Sequence, residues 1–140
     1  LQLPRQLAAL AGWPLLTPPA ELLRVPHIKQ PIHQAALMAW LRHARVDAWV
    51  WSADLLAYGG LIPSRLGFEP LETCIGIIEQ CLPMLTQGAA FSSVLRIPNY
   101  NLAEEEPDYW ASYGQALYQY SERHAQGLRP MTKELPDSVV

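Results

Sequence analysis

The sequence predicts an α/β fold in three layers, with helices on both sides of a mostly parallel sheet of the Rossmann-like or flavodoxin-like kind. Helix-like and strand-like patterns alternate along the 140 residues. The segments between strand-like runs are long enough to return the chain to the start of the sheet, which favours parallel strands. Residues 47–53 (DAWVWSA) are aromatic, β-branched and nearly free of charge, as expected of a strand buried on both faces.

Seven elements follow in the order α-β-α-β-α-β-α. Leucines at helical spacing predict an opening helix over residues 3–11, which ends at Gly12. The apolar run 13–16, closed by Thr-Pro-Pro, predicts a short strand. Pro31 stands at a favoured first helical position and opens the second helix. The side chains predicted to be buried there are Ile32, Ala35, Ala36, Ala39 and Trp40.

The second half of the chain continues this alternation after strand 47–53. Pro70 opens a helix that Pro83 stops or kinks. Gly88 leads into residues 89–97 (AAFSSVLRI), the third predicted strand, and Pro107 opens a last long helix. The side chains expected on one side of the Pro70 helix are Leu71, Cys74, Ile75, Ile78 and Leu82. Three strands make a thin sheet, so we expect residues 1–140 to form a single α/β domain or a fragment of a larger α/β protein, with its first strand before residue 1.

Composition excludes several classes of protein. Half of the residues are hydrophobic and 16% are charged, which excludes a disordered chain. Ten basic and thirteen acidic residues give a net charge of −3 without a basic cluster, which argues against nucleic acid as a partner. No apolar run approaches the roughly 20 residues that span a bilayer, so no membrane partner is expected. Cys74 and Cys81, about 10 Å apart on a helix, predict buried free thiols and favour a cytoplasmic location.

The candidate site lies where predicted strands end, because parallel α/β sheets bind ligands at the carboxyl ends of their strands. After strand 47–53 the chain presents a carboxylate, an aromatic ring, a glycine pair and a cation: Asp54, Tyr58, Gly59, Gly60 and Arg65. After strand 89–97 it presents a second polar group: Arg96, Asn99, Tyr100, Asn101, Glu106 and Asp108. The glycines permit positive φ and close backbone approach.

Structural interpretations of the same residues remain open. Asp54 with Arg65 or Arg96 could form an ion pair that ties neighbouring strands together. The acidic run 104–108 could be a solvated cap at a helix start, where carboxylates are favoured. The glycine pair could serve only as a turn. No dinucleotide-binding glycine pattern, phosphate loop, GxSxG elbow or paired CxxC occurs, so no cofactor and no dedicated metal site are predicted.

Two long blocks carry a resemblance to a known family. Residues 51–65 (WSADLLAYGGLIPSR) resemble the most distinctive stretch of a bacterial family catalogued as domain of unknown function 4127. A second block, from LRIPNYN at 95–101 through EEPDYW at 105–110 to Tyr113-Gly114, is similar to the same family, as is LYQYS at 117–121.

Members of that family are longer than this chain. They open with a strand bearing Leu-Pro-Leu-Asp-x-Arg-Pro just upstream of the segment that resembles residues 3–11. That motif is absent here. The resemblance implies that its Asp and Arg belong to the same site and that the candidate residues form one site, and it assigns no activity. Asp54 with the upstream Asp leaves a magnesium site open.

Three functions follow from this pattern. The first is a hydrolase-like enzyme acting on a small polar, saccharide-like substrate, with Asp54 as general base or nucleophile and Glu106 or Asp108 as acid partner. Arg65 and Arg96 would hold an anionic group. The second is a non-catalytic module that binds a small anion or sugar in the same cleft. The third is a structural part of a larger protein, against which the remainder of a longer chain packs.

Overall fold

A computed structural model describes residues 2–67, 69–94 and 96–128 of the chain. Its helices are α1 (Gln2–Leu10), α2 (Gln34–His43), α3 (Ala53–Tyr58), α4 (Leu61–Leu66), α5 (Leu71–Cys81) and α6 (Trp110–Ala125). Its strands are β1 (Trp49–Ser52) and β2 (Gly88–Phe91). Two single 3₁₀ turns cover Ala20–Leu23 and Leu82–Met84. Within these ranges no helix combines the length and apolar character that crossing a membrane demands.

The two strands pair in parallel. Trp49 lies opposite Gly88 and Ser52 opposite Phe91, so both strands run the same way and end side by side. Between them the chain passes through α3, α4 and α5, a crossover of the kind that parallel strands require. Gly88 has φ +144°, and a Cβ there would collide with the Trp49 carbonyl, so only glycine allows this close approach. The predicted parallel direction of strands 47–53 and 89–97 is confirmed.

The core lies on one side of this strand pair. A cluster of buried side chains comprises Ile32, Leu37, Met38, Leu41, Leu56, Cys81 and Leu85. Trp49 and Trp51 of β1 pack against this cluster, whereas Val50 between them is 78% exposed. The prediction that strand 47–53 is buried on both faces is therefore wrong, since no described element covers Val50. The α/β character is confirmed, while the complete three-layer arrangement stays a prediction.

Strand boundaries differ from those predicted. Residues 13–16 form no strand, and Trp13 is 75% exposed. Pro14 has no amide hydrogen to donate to a neighbouring strand, and the described strands β1 and β2 pair with each other rather than with this segment. The predicted strand 89–97 is also too long, because β2 ends at Phe91 and polar serines follow. Leu95, inside that prediction, lies outside the described residues.

Helix prediction was more accurate. The opening and Pro70 helices are confirmed as α1 and α5, and Pro83 lies in the 3₁₀ turn after α5. Helix α2 begins at Gln34 rather than at Pro31, because His33 caps it through a 3.2 Å bond from Ala36 N to its Nδ1. The buried residues of α2 are Leu37, Met38 and Leu41, while Ala35 and Ala39 are exposed.

The larger apolar side chains of α2, rather than its alanines, pack in the core. The side chain of Gln34 joins α2 to α3, since its Nε2 donates to the carbonyls of Leu56 and Ala57 at 2.9 and 3.0 Å. Cys74 and Cys81 are buried and free, as predicted. Cys81 Sγ lies 3.1 Å from Met38 Sδ in the middle of the core.

Candidate functional site

Asp54 joins the two strand ends. Ser52, the last residue of β1, caps α3 through a 3.2 Å bond from Leu55 N to its hydroxyl, which places Asp54 in the first turn. Asp54 is 7% exposed. Its Oδ1 accepts a 3.0 Å hydrogen bond from Ser92 Oγ and its Oδ2 a 2.8 Å hydrogen bond from Ser93 N. One carboxylate therefore ties the segment after β1 to the segment after β2.

The glycine pair after α3 forms a turn. Gly59 (φ +77°) and Gly60 (φ +151°) end the helix, and their amides donate to the carbonyls of Leu55 and Asp54 at 3.0 and 3.3 Å. The Gly59 carbonyl accepts from Ile32 N at 3.0 Å, and a Cβ on Gly59 would lie 2.6 Å from Pro31 Cβ. Gly59 therefore allows this turn to lie close to the segment before α2.

Arg65 on α4 faces two carboxylates of the acidic run. Its Nη1 donates to Glu105 Oε2 at 3.2 Å and lies 3.0 Å from Glu106 Oε1. The Arg65 side chain is 12% exposed and that of Glu106 is 6% exposed, whereas Glu105 is 53% exposed. Glu106 Oε1 is buried without a hydrogen bond of good geometry, so its contact with Arg65 is an ion pair that leaves an acceptor position unused.

The remaining predicted residues lie in other surroundings. Asp108 is fully exposed and pairs with Lys29 Nζ at 3.0 Å. Asn101 Oδ1 accepts from Gln115 N on α6 at 2.8 Å. The other predicted residues from this loop and from α3 are solvent-exposed or half-buried: Arg96, Asn99, Tyr100 and Tyr58.

The structure therefore resolves some of the open alternatives. Arg65 pairs with Glu105 and Glu106, and the Asp54 carboxylate binds serine groups rather than an arginine. A solvated helix cap does not describe Glu106, because its side chain is buried and α6 begins only at Trp110. Asp108, by contrast, is fully exposed, as its interpretation as part of a solvated cap requires.

The described residues line open cavities that include one of about 450 Å³ and one of about 190 Å³. Asn101 lines the smaller one, against α6, and it is the one predicted site residue on either wall. Asp54 and Arg65 line neither of these two cavities. A cleft shared by the segments after β1 and β2 therefore stays a prediction. In the described ranges, no three His, Cys, Asp or Glu side chains are grouped closely enough to hold a metal ion.

Sequence reasoning missed Ser92, Ser93 and Glu105 as partners of predicted residues. The two serines were assigned to the interior of strand 89–97. Their signal was present in the sequence, since two adjacent hydroxyl residues interrupt an otherwise apolar run. Serine competes for backbone hydrogen bonds and favours caps and turns, which is consistent with a strand that ends just before it.

Fold and contacts together define a class of protein: an α/β chain in which one carboxylate joins the segments that follow two parallel strands. Within that class the chain belongs to the family described as protein of unknown function (DUF4127), whose family model matches residues 1–137. The resemblance seen in the sequence is thereby confirmed over nearly the whole chain. No curated protein and no solved structure matches the chain significantly.

Proposed function

We propose that this chain carries the substrate site of a hydrolase-like enzyme that acts on a small polar, saccharide-like molecule. The observation behind the proposal is the link made by Asp54, which bonds Ser92 and Ser93 at 3.0 and 2.8 Å. It brings the segments after β1 and β2 to one edge of the sheet, the edge at which α/β proteins bind their ligands.

Asp54 is the general base of the proposed site. The Ser92 hydroxyl donates to Asp54 Oδ1 at 3.0 Å, so a proton leaving this hydroxyl, or a substrate hydroxyl or water in its place, has an acceptor within transfer distance. Ser92 itself is exposed and can meet a ligand, whereas Asp54 is buried behind it. The hydrogen bond from Ser93 N keeps the carboxylate oriented toward that hydroxyl.

Glu106 is the acid partner in this proposal, and Asp108 is the second candidate for that role. Glu106 Oε1 has an unused acceptor position beside Arg65 Nη1, 3.0 Å away, where it can take up the proton that an acid partner then donates. Arg65 is the group suited to an anionic part of the substrate, because its planar guanidinium can bind two oxygens at once. The exposed Arg96 is a second cation for the same purpose.

Turnover of Asp54→Asn tests the catalytic proposal. A panel of monosaccharides, disaccharides and sugar phosphates is first screened by thermal shift, and hydrolysis of the stabilising compounds is then measured. We expect Asp54→Asn to lower turnover at least about a hundredfold, the usual contribution of a general base. Glu79→Gln, which changes an exposed carboxylate on α5, serves as the matched control. Unchanged turnover in Asp54→Asn would remove this residue from the mechanism.

A non-catalytic binding site is the second candidate. Both Asp54 oxygens are already engaged by protein donors, as expected where this carboxylate only orients its surroundings and Arg65 supplies the cation of the site. In that case Arg65→Ala abolishes the ligand-induced rise in Tm, measured against its own unliganded Tm, while Asp54→Asn keeps most of it. Loss of turnover with retained binding in Asp54→Asn favours the enzyme instead.

Free, buried Cys74 and Cys81 fit a reducing compartment. We therefore include a cytoplasmic location in the proposal.

A further inference from the structure

The larger cavity lies at the edge of the sheet where β1 begins. Its volume of about 450 Å³ falls in the range of small-molecule sites. The end of α2, the residues leading into β1 and Met84 line this open cavity. Trp49 opens β1 at this cavity and Ser52 ends β1 beside Asp54. Three residue steps separate them, about 10 Å of extended strand, so this cavity is distinct from the proposed substrate site.

Two arginines line this cavity without an acidic partner. Neither Arg42 nor Arg45 takes part in an ion pair of the described residues. Asp47 also lines the cavity and forms no ion pair with them. The cavity wall therefore carries a net positive charge.

Arg45 also offsets the partial negative charge at the end of α2, which would otherwise repel an anion. The last carbonyls of a helix carry partial negative charge, and Arg45 Nη1 donates to the carbonyls of Arg42 and Ala44, each at 3.1 Å. These two bonds hold the guanidinium in place. They use one nitrogen, so the donors on Nε and Nη2 remain for a ligand.

Part of the lining is apolar. It includes Trp49, Met84 and Leu41. The indole of Trp49 packs edge-on against Trp40, with ring centroids 6.3 Å apart and an interplanar angle of 81°. An aromatic surface in the same lining as two guanidinium groups without ion pairs is suited to a ligand that is flat and apolar at one end and anionic at the other.

We propose that this cavity binds a small organic anion, whose carboxylate or phosphate group is held by Arg42 and Arg45 and whose flat apolar part lies against Trp49. The site is separate from the one at Asp54. Binding at this site needs no catalytic group, because the lining supplies positive charge, hydrogen-bond donors and apolar surface.

Titration of the whole chain with four probes tests the proposal by calorimetry and by NMR of the indole N–H groups. The probes are phenyl phosphate, benzoate, benzamide and inorganic phosphate. We expect saturable binding of phenyl phosphate and benzoate, with the largest indole shift at Trp49. Benzamide, which lacks the charge, and inorganic phosphate, which lacks the ring, bind at least tenfold more weakly.

Matched variants complete the test. Arg42→Gln weakens phenyl phosphate binding at least tenfold, Arg42→Lys weakens it less, and Arg24→Gln, which removes an exposed arginine outside the cavity, leaves it unchanged. Urea unfolding of each variant shows that the fold is retained. The proposal is overturned by absent saturable binding of both ring-bearing anions, by equal effects of Arg42→Gln and Arg24→Gln, or by shifts that centre on Arg65 and Ser93.

Discussion

Replacing Asp54 by alanine removes the link between the two strand ends and should cost about 2–3 kcal/mol of unfolding free energy. Its carboxylate accepts two hydrogen bonds, from Ser92 Oγ at 3.0 Å and from Ser93 N at 2.8 Å. A hydrogen bond to a charged group contributes roughly 1.5–3 kcal/mol. Because Ser92 and Ser93 are exposed, water can satisfy their donors in the variant, so the loss is at or somewhat below roughly 3 kcal/mol, the lower end of the sum for two such bonds.

Asp54→Asn separates charge from geometry. The asparagine oxygen can still accept from Ser93 N, and its amide nitrogen can donate to the Ser92 hydroxyl oxygen. We expect this variant to lose only about 1 kcal/mol, the difference between a charged and a neutral acceptor.

Urea unfolding followed by tryptophan fluorescence at pH 7 measures both losses. Asp47→Ala is the matched control, since it removes an exposed aspartate and should change stability by less than about 0.5 kcal/mol. Equal urea midpoints for Asp54→Ala and Asp47→Ala would refute the reasoning, because the buried carboxylate would then contribute no more to stability than an exposed one.

Three further variants or conditions test other contacts. Gly59→Ala should lower the free energy of unfolding by about 2 kcal/mol or more, because Gly59 has φ +77° and a Cβ there would lie 2.6 Å from the Pro31 Cβ. Gly67→Ala should lower it by only roughly 1 kcal/mol, the strain of a left-handed backbone, because Gly67 has φ +66° and nothing lies within 4 Å of a Cβ there. Arg65→Gln should lose about 3 kcal/mol in urea unfolding, since it leaves the buried Glu106 carboxylate unpaired, and adding Glu106→Gln should recover part of that loss. Burial raises the pKa of the Cys81 thiol, and the nearby Arg42 lowers it by less. The stability that the buried neutral thiol contributes should be complete below the pKa of the unfolded thiol and should be lost as pH rises through the higher pKa of the folded state. Iodoacetamide should label Cys81 only when the chain unfolds.

Each of these expectations has a contrary outcome. Equal losses for the two glycine variants would show that the contact with the proline is not tight. A double variant less stable than Arg65→Gln alone would show that Glu106 does not depend on Arg65. Rapid alkylation of Cys81 in the folded chain, or stability that rises as pH passes the pKa of the unfolded thiol, would contradict its burial.

The sequence allowed the parallel pair and the position of Asp54 to be predicted, because both depend on local signals. A charge-poor aromatic run followed by Asp54 marks a strand and a polar residue at its end. A helical crossover then requires the next strand to be parallel. These inferences need only neighbours in the chain.

The errors depend on contacts between distant residues. Val50 was expected to be buried because its run is apolar, yet burial requires an element on its side of the sheet, and local composition does not supply one. Residues 13–16 have strand-like composition, and neither strand of the described residues pairs with them. Glu106 is buried although charged residues seldom are, because Arg65, forty-one positions earlier, lies beside it. None of these partners can be identified from spacing alone.

The most direct test of the account is NMR detection of the hydrogen bond between Ser93 N–H and the Asp54 carboxylate. The structure places these groups 2.8 Å apart, so a coupling through the hydrogen bond should connect the Ser93 amide nitrogen to the carboxyl carbon of Asp54. The Ser93 amide should also exchange slowly with deuterium and shift upfield in Asp54→Ala. A Ser93 amide that exchanges as in an unfolded peptide, or that couples to a different acceptor, would contradict the claim that the two strand ends meet at Asp54.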